Sequence, residues 1–156
     1  MGIQEEIKQS HFRNAYQKAF LNIMYTNNWL DEKVRGMLSG EGLTKQQFNV
    51  LRILRGSYPD PLSTLQIRER MLDKMSDTSR IVDRLIKKEF VSKQTCPNDK
   101  RLVDVIITEA GLAKLESIDQ REFRIEETFG NLTEEEANQL SNLLDKMRES
   151  EEDKAQ

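Results

Sequence analysis

Residues 76–88 read SDTSRIVDRLIKK. Its apolar side chains recur at the three- and four-residue spacing of one side of an α-helix. They are Ile81, Val82, Leu85 and Ile86. Ser76 or Asp77 stands just before the first turn and supplies an oxygen that can accept a backbone N–H there. The stretch therefore predicts an amphipathic helix whose other side carries hydroxyl and basic groups.

A hairpin is predicted directly after this helix. Residues 91–96 and 102–107 are rich in β-branched side chains, and a turn over Pro97–Arg101 separates them. The turn carries Asp99, Lys100 and Arg101, so two adjacent cations stand at the tip of the hairpin.

Further helices are predicted on both sides from apolar periodicity and capping residues. The predicted elements before the helix are a long helix over about 5–38, a helix opening at Thr44, an optional strand near Leu62 and a helix over about 63–71. The predicted elements after the hairpin are a helix from about Glu109 to Phe129, capped by Thr108, and a last helix opening at Thr133. This order predicts a mainly α protein with a small β-wing, which is a winged helix-turn-helix. The flanking N- and C-terminal helices carry apolar stripes too long for so small a core, as is typical of dimerisation helices.

The distribution of charge along the chain favours a nucleic-acid partner. The 156 residues carry 24 Lys and Arg against 27 Asp and Glu, a net charge of −3. Residues 44–104 carry 13 bases against 8 acids, whereas residues 105–156 carry 6 against 14. Screening limits the reach of a distant acidic segment to about 8–10 Å at physiological salt. The positive balance of residues 44–104 therefore predicts that this segment binds nucleic acid, although the whole chain is negative.

Composition disfavours several classes of protein. One cysteine, Cys96, and one histidine, His11, cannot form an internal disulfide or a tetrahedral zinc site, so no metal or other cofactor is predicted. No run approaches the ~20 apolar residues of a membrane helix, and residues 1–10 lack the features of a signal peptide. The simplest predicted location is cytoplasmic. No nucleophile–base pair or glycine-rich phosphate loop indicates an enzyme.

Several motifs in a fixed order resemble the MarR family of bacterial transcription regulators. They are LTKQQFNVLRIL, SDTSRIVDRLIKK, FVSKQ, NDKR and IITEAG, and they span roughly residues 43–111. The resemblance implies a winged helix-turn-helix DNA-binding domain over 44–108, between dimerisation helices over 1–43 and 109–156, in one intertwined unit. It also implies a homodimer that binds a pseudo-palindromic operator on double-stranded DNA.

Two residues depart from the family pattern. Glu89 stands where the family usually has the glycine that ends the recognition helix, so this helix end must use another geometry or accept strain. Arg68 stands where a small residue is common, and it either alters helix packing or adds a phosphate contact.

The candidate DNA contacts lie on the recognition helix, just before it and at the hairpin tip. An α-helix fits the major groove, and arginine can bind guanine O6 and N7 with two hydrogen bonds. The predicted contacts are Lys74, Ser76, Thr78, Ser79, Arg80, Arg84, Asp99, Lys100 and Arg101. The resemblance implies that Asp99 orients Arg101 and that Lys100 or Arg101 reaches the minor groove or its phosphates. The alternative is an ordinary solvated helix side followed by a plain surface turn.

Two other groups of residues have two interpretations each. Cys96 adjoins Lys93 and the basic tip, which would favour a thiolate and a redox switch, but a solitary strand cysteine more often packs as a small apolar group. The resemblance implies a small aromatic or phenolic effector. The candidate lining residues of its pocket are His11, Tyr16, Tyr25 and Trp29. Aromatic side chains at helical spacing are otherwise core or dimer contacts.

These observations predict a DNA-binding transcription regulator, most simply a repressor that occludes a promoter and is modulated by an effector. The alternative is a winged-helix protein that no longer binds DNA and serves as a protein-interaction module. The acidic flanking segments favour the alternative, and the basic block over 44–104 favours DNA.

Overall fold

The computed structural model describes residues 1–95, 103–120 and 125–149. The described elements, in chain order, are α1 (Ile3–Glu6), α2 (Ala15–Leu38), α3 (Lys45–Ser57), β1 (Leu62–Ser63), α4 (Thr64–Arg70), α5 (Thr78–Lys87), β2 (Val91–Thr95), β3 (Val103–Ile107), α6 (Glu109–Asp119), α7 (Ile125–Thr128) and α8 (Glu134–Arg148). The predicted fold class, mainly helical with a small antiparallel sheet, is confirmed. The chain divides into two compact units, Met1–Arg121 and Glu122–Gln156.

The core of the first unit lies where α3, α4, α5 and α6 meet one side of the sheet. Its fully buried side chains are Val50, Leu51, Leu54, Ile67, Met71, Val82, Leu85, Val105, Leu115 and Ile118. All are apolar, and burying each one contributes on the order of 1.5–3 kcal/mol relative to leaving it in water. This core holds α4 and α5 against α3, which is the arrangement of a helix-turn-helix.

The sheet has three antiparallel strands in the order β1-β3-β2. Leu62 pairs with Val105, and Val91 pairs with Ile107. The optional strand near Leu62 is therefore present, although it is only two residues long. Because side chains alternate along a strand, Val105 and Ile107 both point into the core.

The predicted helix starts at Thr44, Ser63, Thr108 and Thr133 are confirmed. Each side-chain oxygen accepts a backbone N–H from the residue three positions later. Capping boxes are completed by Gln47, Gln66 and Glu136. At Thr133 the backbone N–H donates to Glu136 at 2.8 Å, and this hydrogen bond lowers the pKa of the Glu136 carboxyl.

The prediction of one helix over about 5–38 is wrong at its N-terminal end. The chain forms the short helix α1, and Lys8 then has a positive φ of 52°, which a continuous helix cannot accommodate. Asn14 starts α2 instead, because its Oδ1 accepts the backbone N–H of Gln17 at 2.9 Å. His11 lies between the two helices, so the prediction that it sits on the long helix is also wrong.

The C-terminal part of the chain is described with a gap. The helix predicted over about 109–129 is present as α6 up to Asp119, and Ile125–Thr128 form α7. Residues 121–124 lie outside the described residues. In the second unit, α8 extends from Glu134 to Arg148.

The recognition helix α5 ends in the geometry that glycine usually adopts, with Glu89 in its place. The backbone N–H of Phe90 donates to the carbonyl of Leu85 at 3.1 Å, and that of Glu89 donates to Ile86 at 2.9 Å. These two hydrogen bonds form a Schellman motif. It requires Glu89 to adopt a φ of 63°. Of the two outcomes predicted for this position, the chain accepts strain.

Phe90 continues into a tight junction with α6. Its carbonyl oxygen accepts the backbone N–H of Thr108 at 3.0 Å, and Thr108 Oγ1 donates to the carbonyl of Glu89 at 2.7 Å. Gly111 lies directly beneath: a Cβ there would stand 2.7 Å from Ile107 Cγ1 and closer still to the Phe90 oxygen. The absence of a side chain at this position therefore lets α6 approach the end of α5.

Gly111→Ala should lower the free energy of unfolding by about 1–3 kcal/mol, because the added methyl group overpacks the junction with backbone atoms. Urea unfolding at fixed protein concentration measures the change. Gly56→Ala is the matched control, since a Cβ at Gly56 meets nothing within 4 Å. That control should leave stability unchanged or raise it by up to about 1 kcal/mol. Equal losses in both variants would contradict the close approach at Gly111.

Glu89→Gly should raise the free energy of unfolding by about 0.5–1 kcal/mol, because glycine adopts a positive φ without the steric cost of a Cβ. Thermal unfolding measures the change. Glu89→Ala removes the same carboxylate but keeps the Cβ, so it should bring no gain. If alanine stabilised as much as glycine, the charge rather than the backbone would be responsible.

Candidate nucleic-acid interface

The recognition helix α5 has one buried and one exposed side. Val82 and Leu85 are fully buried, while Ile81 and Ile86 are half-buried against the core. The exposed polar side chains are Ser79, Arg80, Asp83, Arg84 and Lys87. Of the predicted DNA contacts on α5, Ser79, Arg80 and Arg84 are therefore exposed, and their contact with DNA stays a prediction.

Three cations follow one line along the exposed side. Arg80, Arg84 and Lys87 are separated by four and three residues, a spacing that stacks side chains on one face of a helix. The helix begins after Asp77, whose Oδ1 accepts the backbone N–H of Arg80 at 3.2 Å. Asp77 rather than Ser76 is therefore the N-cap. The arrangement presents positive charge over the full length of α5.

Asp83 is the acidic residue on this exposed side, and Lys93 of β2 pairs with it. The distance from Lys93 Nζ to Asp83 Oδ1 is 2.7 Å. Both side chains are about half exposed, so the pair contributes only about 0–1 kcal/mol to stability. Its larger effect is electrostatic, because Lys93 offsets a carboxylate that would repel phosphate.

The prediction that Thr78 points away from the core is wrong. Thr78 is only 4% exposed, because it precedes Val82 by four residues and Leu85 by seven and so shares their buried side. Its Oγ1 has no hydrogen-bond partner among the described residues, and neither does the buried Oγ of Ser76. Thr78 is therefore a packed residue with an unsatisfied hydroxyl rather than a surface contact.

The turn between α4 and α5, residues 71–77, is held by side chains from inside and outside the turn. Asn49 Oδ1 of α3 accepts the backbone N–H of Leu72 at 3.0 Å, and Asp73 Oδ1 accepts that of Met75 at 3.0 Å. Lys74, a predicted DNA contact, is exposed, and its Nζ donates to the carbonyl oxygen of Glu69. Asn49 did not stand out in the sequence, because no local pattern links it to a turn that follows more than twenty residues later.

The hairpin tip lies outside the described residues. The predicted contacts Asp99, Lys100 and Arg101 fall there, and so does the proposed redox residue Cys96. β2 ends at Thr95 and β3 begins at Val103, so the described strands stop on either side of the tip. The roles of these four residues stay predictions.

Two lysines hold the loop between α2 and α3. Lys88, at the C-terminal end of α5, donates through Nζ to the carbonyl of Gly42 and to Gln47 Oε1, the second at 3.1 Å. Lys114 of α6 lies 2.7 Å from Glu41 Oε2. Glu41 is only 6% exposed, and a buried carboxylate is strongly destabilising without a paired cation. The loop is therefore tied to both α5 and α6.

The four aromatic residues predicted to line a pocket are mostly exposed. His11 is exposed before α2, and Tyr16 on α2 is 86% exposed. Tyr25 and Trp29 are each 39% exposed. The Tyr25 hydroxyl donates to Glu6 Oε2 at 2.8 Å, and this hydrogen bond raises the pKa of Tyr25.

A cavity of about 410 Å³ lies instead where α2 ends and α3 begins. Its lining residues are Asp31, Arg35, Leu38, Leu43, Thr44, Lys45 and Gln46. None of the predicted aromatic residues belongs to it. Lys45 Nζ and Asp31 Oδ1 are 2.7 Å apart at its rim.

Other kinds of site can be assessed for the described ranges only. Within residues 1–95, 103–120 and 125–149, no group of three His, Cys, Asp or Glu side chains is arranged to hold a metal ion. Over the same ranges, none of the helices combines the length and apolar character that crossing a bilayer requires.

A helix, a turn and a basic helix buried on one side, followed by a two-stranded hairpin, define a winged helix-turn-helix protein. The family model of the MarR family matches residues 43–103, which include α3 to β2 and the start of β3. Over this segment the chain is therefore similar to the MarR family of transcription regulators.

Relatives and solved structures agree with this assignment. HTH-type transcriptional regulator MhqR of Bacillus subtilis (strain 168) is 27% identical over 128 residues, which cover 81% of this chain and 87% of that protein. HTH-type transcriptional repressor YetL of the same organism is 24% identical over 126 residues, covering 80% and 75%. A mutant MarR from E. coli complexed with operator DNA is 28% identical, with a TM-score of 0.76 over 90% of this chain and 100% of that chain.

Thr78→Val should leave the free energy of unfolding unchanged or raise it by up to about 1 kcal/mol, because it replaces an unsatisfied buried hydroxyl with a methyl group of similar shape. Thr108→Val is the matched control. Thr108 Oγ1 donates to Glu89 and accepts from Gly111, so its loss should cost about 1–2 kcal/mol. Urea unfolding of both variants measures the two changes in the free energy of unfolding. Similar losses in both would show that Thr78 Oγ1 has a hydrogen-bond partner.

Proposed function

We propose that two copies of this chain bind one pseudo-palindromic site on double-stranded DNA, each placing α5 in the major groove of a half-site. The observation that carries the proposal is the line of Arg80, Arg84 and Lys87 opposite the buried Val82 and Leu85. Because the buried side fixes the rotation of α5, the three cations face outward together. The two recognition helices would be about one helical turn, ~34 Å, apart.

The position of each cation along α5 suggests its role. Arg80 lies in the first turn, where side chains of a recognition helix meet base edges, and its fork of donors fits guanine O6 and N7. Arg84 and Lys87 lie further along and suit phosphate oxygens. Lys93 supports the same face by offsetting Asp83. Lys74, just before the helix, would reach the DNA backbone.

The wing completes the interface in this proposal. The family resemblance assigns Asp99 to orient Arg101, and it assigns Lys100 or Arg101 to the minor groove or its phosphates. Ser79 is a short polar group exposed at the start of α5 and suits a phosphate contact, whereas the Oγ of Ser76 is buried, which contradicts its predicted contact with DNA. The similarity to a MarR protein solved with operator DNA supports this use of the fold.

A homodimer is proposed from apolar side chains that each unit leaves in water. On α2, Tyr16, Phe20 and Met24 recur every four residues and are 86%, 62% and 49% exposed. The exposed apolar side chains of α8 are Leu140, Leu143 and Met147. Stripes of this kind on long helices mark contacts between chains. We assign both stripes to the interface between two copies.

Repression by promoter occlusion is the simplest outcome, because a dimer bound across an operator excludes other proteins from it. A small aromatic or phenolic effector would act by changing the separation of the two recognition helices, so that they no longer match the half-sites. The exposed Tyr16, Tyr25 and Trp29 of α2 are its candidate contacts. Oxidation of Cys96 is a second proposed input, and packing of Cys96 as a small apolar residue is its alternative.

A protein-interaction module is the competing function. The acidic segment 105–156 favours it, whereas the basic line on α5 favours DNA. The two functions differ in salt dependence. A protein that neutralises phosphates loses affinity with a slope of about −0.9 in log K against log salt per phosphate. If the protein did not bind mixed-sequence duplexes, or bound them with an affinity independent of salt, the protein-interaction module would be favoured.

Arg80→Ala should weaken binding to the preferred duplex by about 1–3 kcal/mol and relax the preference at one base pair, because the bidentate contact is lost. Fluorescence anisotropy with duplexes selected from a random pool measures both effects. Arg52→Ala makes the same change in charge on α3, where Arg52 lies 3.6 Å from Asp119, and it should alter neither. If Arg80→Ala weakened every sequence equally, Arg80 would be a phosphate contact and the assignment of a base-reading role would be wrong.

A further inference from the structure

Two large apolar side chains project from the turn between α4 and α5. Leu72 is 89% exposed and Met75 is 92% exposed, whereas their neighbour Met71 is 2% exposed. The turn thus buries one apolar side chain and holds two others out in water. Apolar groups that stay in water gain nothing from folding. Leu72 and Met75 are therefore candidates for contact with a partner.

The backbone of the turn is fixed by hydrogen bonds. The N–H groups of Leu72 and Met75 donate to the side-chain oxygens of Asn49 and Asp73, each at 3.0 Å. The N–H of Ser76 donates to the carbonyl of Asp73 at 3.2 Å. These bonds set where the two apolar side chains project. A contact made by a preordered turn loses little conformational entropy.

The position of the pair favours DNA over a protein as the partner. Leu72 and Met75 flank the exposed cation Lys74, and Met75 lies two residues before the N-cap Asp77. This end of a recognition helix faces the base edges. Two side chains also supply far less than the roughly 800 Å² that each side of a stable protein interface buries.

We infer that Leu72 and Met75 contact the C5 methyl groups of thymine and so add a preference for thymine in each half-site. The inference rests on the proposed binding of α5 in the major groove. Thymine is the base whose major-groove edge carries a methyl group, and this group pairs with apolar side chains. Discrimination then arises from apolar surface removed from water, without a hydrogen bond to the base.

The test replaces thymine with deoxyuridine, which lacks only the C5 methyl group. Duplexes are selected from a random pool, and each thymine of a half-site is then replaced in turn. The wild-type protein should lose about fourfold in affinity per contacted methyl group. Met75→Ala and Leu72→Ala should each bind the thymine and uracil duplexes equally at the position that the residue contacts. Met75→Leu keeps an apolar side chain and should retain the discrimination.

The outcomes separate this inference from the function on which it rests. Loss of all DNA binding by the wild-type protein would overturn both. With binding intact, the inference alone fails if the half-site lacks thymine, if uracil has no effect anywhere, or if the alanine variants discriminate like the wild type. Alanine variants with unchanged affinity for every duplex would assign the pair to a protein partner instead. Thermal midpoints should match the wild type, because both side chains are exposed.

Discussion

The burial of Val82 and Leu85 is the constraint on which the rest of the molecule depends. Both side chains are fully enclosed by the core that α3, α4 and the sheet build. A helix anchored at two positions three residues apart cannot rotate about its axis without exposing one of them. The orientation of every cation on α5 is therefore set by aliphatic packing, and electrostatics acts only on an arrangement that packing has already determined.

Charge is distributed so that an acidic chain can still carry a basic face. The acids of residues 44–104 are fewer than the bases, and several are engaged locally. Asp77 caps α5, Asp73 bonds within its own turn, and Asp83 pairs with Lys93. Carboxylates that are occupied in this way repel phosphate less than free ones. The acidic balance of residues 105–156 accounts for the negative net charge of the whole chain.

The parts of the fold that sequence could predict are those controlled by neighbours in the chain. The caps at Thr44, Ser63, Thr108 and Thr133 depend on a residue three positions away, and all four were predicted correctly. Glu89 could be recognised as anomalous only through the resemblance to the family, which usually has a glycine at that position. The break before Asn14 was missed, because apolar periodicity continued across it and no proline or glycine marked it.

Long-range contacts explain the remaining differences. Asn49 holds a turn that lies more than twenty residues away, and Lys88 and Lys114 hold the loop between α2 and α3. Nothing local in the sequence distinguishes these residues from solvated polar ones. Thr78 is a different case, because its spacing from Val82 and Leu85 predicts that it is buried. Its hydroxyl group favoured the opposite prediction, that it is exposed. The parts of the candidate site that follow helical spacing were therefore predictable from the sequence. The parts that depend on contacts between residues distant in sequence were not.

The attachment of Lys88 to the loop after α2 has a mechanical consequence. A lysine side chain is a flexible stem that ends in three donors, so it can keep hold of Gly42 and Gln47 while α5 tilts by a few degrees. An arginine fork would resist such a tilt through its planar geometry. The attachment therefore limits the distance between the end of α5 and the loop after α2, while it leaves the angle between them free.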